Sequence, residues 1–355
     1  MWCLRQLSLI RNDVAEQACK RNDFIPNFVP VFKQTDYMTL QILFLLAGFV
    51  ILIKGADWLV SGASSLARKY GIPDLVIGLT IVAFGTSAPE LVVSVFAAVQ
   101  NYQDIVFANV IGSNFFNLFA ILGIAGLITP LAVQSSTVWK EIPFSLLALI
   151  VIFLLGNEFL SGSLKLISRV DALILLIFFC LFLLYIYRQM KADVSDAVVP
   201  DRQLPGIKIG LFIILGLGGL ILGGRIVVNN AIELAEAFGV SEKIIGLTIV
   251  AAGTSLPELA TSVVAAYRKN NDIAVGNIIG SNIFNIFLIL GVSTLIRPIK
   301  YNISFNTDIC LVAAGTIFLF MAMFLGGKRK LDRWEAGLLL IAYIAYTVFL
   351  INREI

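Results

Sequence analysis

The chain has 355 residues, a mean hydropathy of +0.92 and only 14% charged residues, which excludes an ordinary soluble domain. Its net charge of +3 is small and dispersed, so the composition does not indicate nucleic-acid binding. Histidine is absent and the four cysteines show no paired spacing, which supports neither a zinc site nor a disulfide framework. Any ion chemistry must therefore use oxygen ligands.

The first 37 residues differ from the rest because they mix charged side chains with scattered apolar ones. They have neither a clean apolar core nor a small-residue cleavage site, so a signal peptide is a poor fit. Met38 stands directly before the first strong apolar run. We interpret residues 1–37 as a dispensable N-terminal extension.

From Met38 onward the apolar runs predict ten helices, each close to or above the roughly 20 residues that a helix needs to cross a bilayer. The predicted spans are residues 40–60, 74–99, 104–128, 138–156, 169–188, 207–229, 243–267, 272–296, 305–325 and 334–352. A charged stretch with two prolines, residues 189–206, links a first half, 38–188, to a second half, 207–355. The predicted fold is an all-α polytopic membrane protein.

Two near-copies of one stretch lie in the second and seventh predicted spans. Residues 78–94 (GLTIVAFGTSAPELVVS) and 246–262 (GLTIVAAGTSLPELATS) are identical at 13 of 17 positions, at an offset of 168. The same offset, without a gap, aligns residues 109–117 with 277–285. Shared apolar composition cannot match Gly, Thr, Ser, Pro, Glu and Asn in register, so the chain is an internal duplication.

Each repeat contains five predicted spans, an odd number, so the second repeat must enter the membrane from the opposite side. Such inverted repeats are common in secondary transporters, with the site at the repeat interface near the midplane. Thirteen Lys and Arg residues fall in loops on the side of the 189–206 linker, and six fall on the other side. We therefore expect both termini outside and the linker in the cytoplasm, in the inner membrane of a bacterium.

Two prolines interrupt the repeated stretches. Pro89 and Pro257 have no N–H to donate to a carbonyl one turn earlier, which predicts freed carbonyls around Ala83–Gly85 and Ala251–Gly253. Free carbonyls at membrane depth are tolerated only where protein, water or an ion meets them. A cation site is one natural solution.

Oxygen-bearing side chains surround these prolines at helical spacing. Each repeat places a Thr, a Ser and a Glu near one helical face, and an Asn, a Ser and an Asn at intervals of four on the next span. They are Thr86, Ser87, Glu90, Asn109, Ser113 and Asn117, and Thr254, Ser255, Glu258, Asn277, Ser281 and Asn285. Two facing half-sites could supply the roughly six to eight oxygens that Ca²⁺ takes. We identify Glu90 and Glu258 as the only acids deep within the predicted spans, which makes them functional candidates.

Close packing is the alternative explanation. Gly, Ser and Thr in membrane helices often allow close helix contact. Packing between helices explains the presence of Asn109 and Asn277 as well as ion binding does. It does not explain the two carboxylates, since an uncompensated charge at mid-bilayer costs several kcal/mol. Snorkelling or a local ion pair explains three charged residues near the ends of the first span of each repeat. They are Lys54, Asp57 and Arg225.

At these residues the chain resembles the calcium/cation antiporter superfamily, in particular its prokaryotic sodium/calcium exchanger branch. The resemblance covers essentially residues 38–355 and rests on the paired motif G-T-S-x-P-E, followed 23 and 27 residues after the Glu by Ser and Asn. It implies ten transmembrane helices in two inverted five-helix repeats, with Glu90 and Glu258 as the central carboxylates. The implied surrounding ligands are Thr86, Ser87, Thr254, Ser255, Ser113, Ser281, Asn117, Asn285 and the carbonyls of Ala83 and Ala251.

The resemblance also implies a mechanism. It implies electrogenic exchange of Ca²⁺ for Na⁺ by alternating access, with the first and sixth spans rocking over a static core. Some relatives have Asp where this chain has Asn285, and that Asp is associated with K⁺ co-transport, so Asn285 implies K⁺-independent exchange. We expect no enzymatic activity, no cofactor and no obligate protein partner, with the lipid bilayer as the surroundings.

Three alternatives stay open on the residues alone. A proton-coupled cation antiporter on the same fold would use Glu90 and Glu258 as proton carriers. An intramembrane protease could use paired acids, but it would not need repeated Thr, Ser and Asn oxygens around them. A channel would differ from an exchanger in lacking counterflow driven by an ion gradient.

Overall fold

The computed structural model describes residues 31–157, 166–192, 205–238, 251–325 and 329–354. Of these residues, 86% are helical. Its α-helices are Val31–Tyr70 (α1), Asp74–Ile77 (α2), Ala83–Thr86 (α3), Ala88–Val99 (α4), Gln103–Phe115 (α5), Leu122–Ile128 (α6), Ile142–Gly156 (α7), Arg169–Ala192 (α8), Gly206–Ala237 (α9), Ala251–Gly253 (α10), Leu256–Tyr267 (α11), Asn271–Ile283 (α12), Gly291–Ile296 (α13), Phe305–Ala322 (α14) and Arg333–Glu354 (α15). Wider π-helical turns continue several of these helices, at Gly78–Val82, Phe116–Ile121, Thr137–Glu141 and Phe284–Leu290.

Among the described residues, eight helical segments are long and apolar enough to span a membrane. A ninth is added when Asp74–Thr86 and Ala88–Val99, which are bent by 47° relative to each other, are taken as one span. The predicted seventh span, 243–267, is described only from Ala251. The all-α polytopic fold is therefore confirmed, while the count of ten includes a span whose first part lies outside the described residues.

The predicted extension and linker lie largely outside the described residues. Residues 1–30 are not described, and residues 31–37 belong to α1, so this helix begins before the predicted boundary. In the linker, residues 189–192 continue α8 and Gly206 begins α9, while residues 193–204 are not described.

Two pairs of short antiparallel strands join loops of the two repeats. Leu131–Ala132 (β1) pairs with Lys330–Leu331 (β4), and Leu166–Ile167 (β2) pairs with Ile299–Lys300 (β3). Each pair connects two loops that lie on the same side of the membrane in the predicted topology.

The protein interior is built around the third and eighth spans. In the most apolar stretch of Asn271–Ile296, 94% of the residues are buried, and in Gln103–Ile128 78% are buried. The corresponding value for Met38–Tyr70 is 22%. The first span therefore presents most of its apolar surface outward, as a lipid-facing helix does, and the two repeats meet at the buried third and eighth spans.

Helices α1 and α9 pack closely along each other through glycines. A Cβ at Gly55 would lie 2.7 Å from the backbone nitrogen of Leu220, and a Cβ at Gly223 would lie 2.6 Å from that of Leu52. Any side chain at these positions would separate the two backbones, because membrane helices approach this closely only at small residues. Gly55 and Gly223 are 168 positions apart, so the duplication itself supplies both sides of the contact.

Candidate cation site

Each repeat breaks a helix directly before its glutamate. In the first repeat α3 ends at Thr86, Ser87 adopts φ −80° and ψ 5°, and α4 begins with Pro89 in its first turn. The missing N–H of Pro89 prevents a regular helix from continuing through this point. Glu90 follows immediately, so its carboxylate lies in the first turn of a helix, where the backbone dipole favours negative charge.

The second repeat has the same break. Ser255 adopts φ −92° and ψ 11° between α10 and α11, and Pro257 lies in the first turn of α11. Glu258 occupies the same place in this helix as Glu90 does in α4. Both turns are therefore local consequences of the repeated G-T-S-x-P-E sequence.

The two half-sites interlock through serines that reach across the repeats. Ser87 Oγ donates a hydrogen bond to Glu258 Oε1 at 2.9 Å, and Ser255 Oγ donates to Glu90 Oε1 at 2.9 Å. Each glutamate is only 1% exposed. One oxygen of each carboxylate is thereby held by the opposite repeat, and the predicted pair of glutamates lies at a single centre.

Several buried oxygens of the candidate ligands have no hydrogen-bond partner among the described residues. They are Glu90 Oε2, Glu258 Oε2, Thr254 Oγ1, Ser281 Oγ, Asn117 Oδ1 and Asn285 Oδ1. Thr254 lies beside the Glu90 carboxyl group, and Ser281 lies beside that of Glu258. A buried polar atom left unpaired costs about 1–3 kcal/mol. A hard cation bound by these oxygens would remove that cost, and such an oxygen-only set suits Ca²⁺.

The amide groups of Asn117 and Asn285 are oriented by the opposite repeat. Asn117 Nδ2 donates to Asn282 Oδ1 at 3.1 Å, and Asn285 Nδ2 donates to Asn114 Oδ1 at 2.9 Å. Because the nitrogens are engaged, each Oδ1 is the atom left for a ligand. Asn114 and Asn282 act as positioning residues that helical spacing did not indicate, although both belong to the repeated stretch N-x-I-G-S-N.

Asn109 and Asn277 hold the glutamate-bearing helices in place. Asn109 Nδ2 donates to the Glu90 carbonyl at 3.1 Å and to Ser94 Oγ at 2.9 Å, and Asn277 Nδ2 donates to Ser262 Oγ at 2.9 Å. These bonds tie the third and eighth spans to α4 and α11. Both asparagines therefore have a clear packing role, which was the alternative considered for them.

Pro89 predicts freed carbonyls over Ala83–Gly85, but the Ala83 carbonyl at the start of this range is hydrogen-bonded. That carbonyl accepts the Ser87 N–H at 3.0 Å and the Thr86 hydroxyl at 3.3 Å. The donor that proline lacks would have bonded Gly85, four residues earlier, and not Ala83. Ala251, the corresponding residue of the second repeat, is the first described residue of α10.

Two further acids near the ends of spans are also fully buried. Glu141 is 0% exposed and accepts a hydrogen bond from the Tyr185 hydroxyl, and Glu335 is also 0% exposed and accepts one from the Asp332 N–H. Both lie at span ends, where polar partners are within reach. Glu90 and Glu258 differ from them in lying at the centre where the repeats meet.

The α1–α9 pair contacts the rest of the protein differently at its two ends. A cavity of about 290 Å³ separates α9 from the helix breaks. Its lining includes Ala88, Pro89, Gly224, Arg225, Thr254 and Pro257. At the other end of the pair, Arg268 forms an ion pair with Asp57 of α1 and donates to Ser61 Oγ at 2.6 Å. The local ion pair considered for Asp57 is thus present, while Arg225 lines the cavity.

A buried, repeat-spanning set of carboxylate, hydroxyl and amide oxygens inside a bundle of apolar helices defines an integral membrane cation transporter. Residues 40–188 and 208–352 match the family model described as "Sodium/calcium exchanger protein". The chain belongs to the sodium/calcium exchanger family, so the predicted family is confirmed and the chain is an antiporter of cations that include Ca²⁺.

Named relatives and solved structures resemble the chain over most of its length. The sodium/calcium exchanger MaX1 of Methanosarcina acetivorans is 33% identical over 351 residues, covering 88% of this chain and 99% of that protein. The inner membrane protein YrbG of Escherichia coli is 40% identical over 268 residues, covering 74% of this chain and 81% of that protein. A structure of the sodium-calcium exchanger NCX_Mj soaked with 10 mM Na⁺ superimposes with a TM-score of 0.74 at 31% identity, covering 87% of this chain and 98% of that one.

Proposed function

We propose that this protein exchanges Ca²⁺ for Na⁺ by alternating access, in an electrogenic cycle that does not require K⁺. The observation that carries the proposal is the crossed pair of hydrogen bonds, Ser87 to Glu258 and Ser255 to Glu90, which brings both carboxylates to one centre. The names of MaX1 and NCX_Mj as sodium/calcium exchangers support the choice of ions.

The charges of the site explain why the two ions would exchange. Two ionised glutamates are neutralised by one Ca²⁺, whose lost hydration shell is replaced by the unpaired oxygens around them. Na⁺ carries half the charge and would use the same oxygens, so the two loads compete for one set of ligands. If more than two Na⁺ replace one Ca²⁺, each cycle moves net charge across the membrane.

Six of the proposed ligand atoms have no hydrogen-bond partner among the described residues. The two glutamates supply the charge, while Thr254, Ser281, Asn117 and Asn285 supply neutral oxygens. Thr86, Ser87, Ser113, Ser255 and the carbonyls of Ala83 and Ala251 complete the proposed set. Because Asn285 is neutral, the site lacks the additional carboxylate that a K⁺-coupled cycle is expected to need.

The close α1–α9 contact supports movement of these two helices as one body. In the proposed topology the cavity beside Thr254 opens to the outside, and the Asp57–Arg268 pair closes the cytoplasmic end. Sliding of the helix pair over the buried third and eighth spans would close the cavity to the outside and open a path at the cytoplasmic end. The proposed location is a bacterial inner membrane, which the printed name of YrbG supports.

The test is radioactive Ca²⁺ uptake into proteoliposomes that contain the purified chain. Vesicles loaded with Na⁺ and diluted into Na⁺-free buffer should accumulate Ca²⁺, and a proton gradient alone should drive no uptake. Uptake driven by the proton gradient and indifferent to Na⁺ would replace the proposal with proton-coupled antiport. Ca²⁺ flux that follows its own gradient without any counter-ion would indicate a channel.

A further inference from the structure

Two adjoining cavities lie between the fourth and fifth spans, and neither is lined by a candidate ligand of the cation site. The first, of about 530 Å³ and here called the polar cavity, is lined only by residues with polar or charged side chains, and the second, of about 340 Å³, is largely apolar. The polar cavity is lined by Ser135, Ser136, Lys140, Arg188 and Gln189, together with Gln134 and Tyr185. The apolar cavity is lined by Lys140, Pro143, Phe144, Leu147 and Tyr185. Lys140 and Tyr185 line both, so the two spaces are adjacent.

The polar cavity offers two cations. Lys140 and Arg188 are exposed, and neither forms a salt bridge with another described residue. The Lys140 ammonium lies 5.5 Å from the centre of the Tyr185 ring, which places it at the boundary of the two cavities. Arginine and lysine at such a site match the oxygens of a phosphate group.

The acids near this cavity are engaged by its lining residues. The Glu141 carboxylate is fully buried and accepts the Tyr185 hydroxyl hydrogen. Gln134 Nε2 donates to Asp272 Oδ2 at 2.6 Å. One oxygen of each carboxylate is thus engaged by a neutral group, Glu141 Oε2 is buried without a partner among the described residues, and the two cations form no salt bridge with a described residue.

The second cavity distinguishes a lipid from a free anion. Its walls are the ring of Phe144 and the side chains of Pro143 and Leu147, all on the fourth span. Trp139, one residue before Lys140, is exposed and packs edge-on against Phe324 at 5.4 Å. Exposed tryptophans mark the headgroup level of a membrane, so the apolar cavity begins where acyl chains begin. Inorganic phosphate would make no use of it.

We propose that these joined cavities bind one anionic phospholipid. The phosphate group lies between Lys140 and Arg188, and one acyl chain lies along Phe144 and Leu147. Basic pockets between membrane helices recognise lipid headgroups in this way. The site is separate from the cation ligands, so it stands whether or not Na⁺ is the counter-ion.

The test is native mass spectrometry of the purified full-length chain with added phosphatidylglycerol or phosphatidylethanolamine. The site variant carries Lys140→Gln and Arg188→Gln. A matched control carries Arg68→Gln and Lys208→Gln, which removes the same charge from two exposed residues outside both cavities. Wild type and control should retain phosphatidylglycerol in preference to phosphatidylethanolamine, and the site variant should bind phosphatidylglycerol about ten-fold more weakly. Equal retention by both variants would overturn the proposal.

A second variant separates a lipid from a free anion. Leu147→Trp fills the apolar cavity and leaves both cations in place, so it should weaken phosphatidylglycerol binding several-fold. Inorganic phosphate at millimolar concentration should not displace the lipid from wild type. Displacement by phosphate, together with unchanged binding to the Leu147→Trp variant, would show that the polar cavity takes a free anion instead.

Discussion

The two halves of the cation site come from nearly identical stretches, yet their hydrogen bonds differ. Thr86 is fully buried and donates to Asn277 Oδ1 at 3.1 Å, whereas Thr254 is only partly buried, lines the cavity and has an unpaired Oγ1. Ser113 accepts a hydrogen bond from Ser255 at 3.1 Å, whereas Ser281 Oγ is unpaired. The hydroxyls of Thr86 and Ser113 are therefore in contact with protein, whereas their counterparts Thr254 and Ser281 are unpaired. Both repeats keep one unpaired carboxylate oxygen and one unpaired asparagine oxygen.

The difference in hydrogen bonding between equivalent residues follows from the inverted arrangement of the two repeats and not from their sequences. Two inverted repeats that share one site cannot both face the open side of the membrane at once. Thr254 lines the cavity and has an unpaired hydroxyl, whereas its counterpart Thr86 is held by a hydrogen bond to Asn277. If alternating access operates here, the two halves exchange these environments in the opposite state, and side-chain substitutions in the two repeats should have unequal effects.

The largest effect is expected at the two carboxylates. Glu90→Gln or Glu258→Gln keeps an acceptor oxygen and removes one of the two charges that face the ion. Losing one partner of a buried charge interaction costs about 3–5 kcal/mol, so each variant should lower Ca²⁺ transport by more than about 100-fold. The measurement is Na⁺-gradient-driven uptake, normalised to the protein incorporated.

The control for these variants is Asp104→Asn, a change at an exposed acid, which should transport normally. Since an unliganded buried carboxylate is itself destabilising, both Gln variants should also remain folded in the membrane. Near-normal uptake by either one would contradict a site shared by the two repeats.

The next largest effect is expected at Ser87 and Ser255, the two serines that bridge the repeats. Ser255→Ala removes the hydrogen bond to Glu90 and also the 3.1 Å contact between its Oγ and Ser113 Oγ, whereas Ser87→Ala removes only the bond to Glu258. Each such bond to a charged group contributes about 1.5–3 kcal/mol. We expect Ser255→Ala to raise the apparent Km for Ca²⁺ several-fold more than Ser87→Ala does. Equal losses would mean that the hydrogen-bond asymmetry has no functional consequence.

A smaller effect is expected at Thr254 and Thr86, where substitution should affect Ca²⁺ binding in one case and protein stability in the other. Thr254→Val removes an unpaired hydroxyl beside Glu90, so it should weaken Ca²⁺ binding with little change in thermal stability. Thr86→Val leaves Asn277 Oδ1 without its donor and should lower stability by about 1–3 kcal/mol. Thermal unfolding in detergent, measured with and without Ca²⁺, distinguishes the two. The reversed pattern would show that the first repeat is the open half.

The smallest effect concerns potassium. Removing K⁺ from both sides should leave Na⁺-driven Ca²⁺ uptake by wild type unchanged, because Asn285 provides no additional charge. Asn285→Asp adds a carboxylate next to the glutamate pair and should change the dependence on Na⁺ concentration. An absolute K⁺ requirement in wild type would contradict the assignment of Asn285.

Much of this arrangement can be predicted from the chain because the repeat is exact in its polar residues. The offset of 168 locates Glu90 and Glu258, and the odd number of predicted spans in each repeat implies the inverted pair. Helical spacing places Ser87 beside Glu90, its neighbour in sequence. The structure instead bonds Ser87 to Glu258, because the bend at Ser87 turns its side chain toward the other repeat.

The spacing of residues along the sequence cannot predict the contacts between the two repeats. Asn114 and Asn282 lie in the repeated stretch, but their role depends on how closely the third and eighth spans approach. The position of Pro89 predicts freed carbonyls only as the range Ala83–Gly85, and which of them has a donor depends on where the helix ends. The difference between Thr86 and Thr254 depends on which side of the membrane the cavity faces, which no single sequence encodes.

The most direct test of a shared site is equilibrium Ca²⁺ binding to the purified chain in Na⁺-free buffer, measured by titration calorimetry. We expect one high-affinity Ca²⁺ per chain in the wild type and its loss in both Glu90→Gln and Glu258→Gln. Two Ca²⁺ per chain, or one of the two variants retaining wild-type affinity, would show that each repeat binds its own ion and would contradict the account.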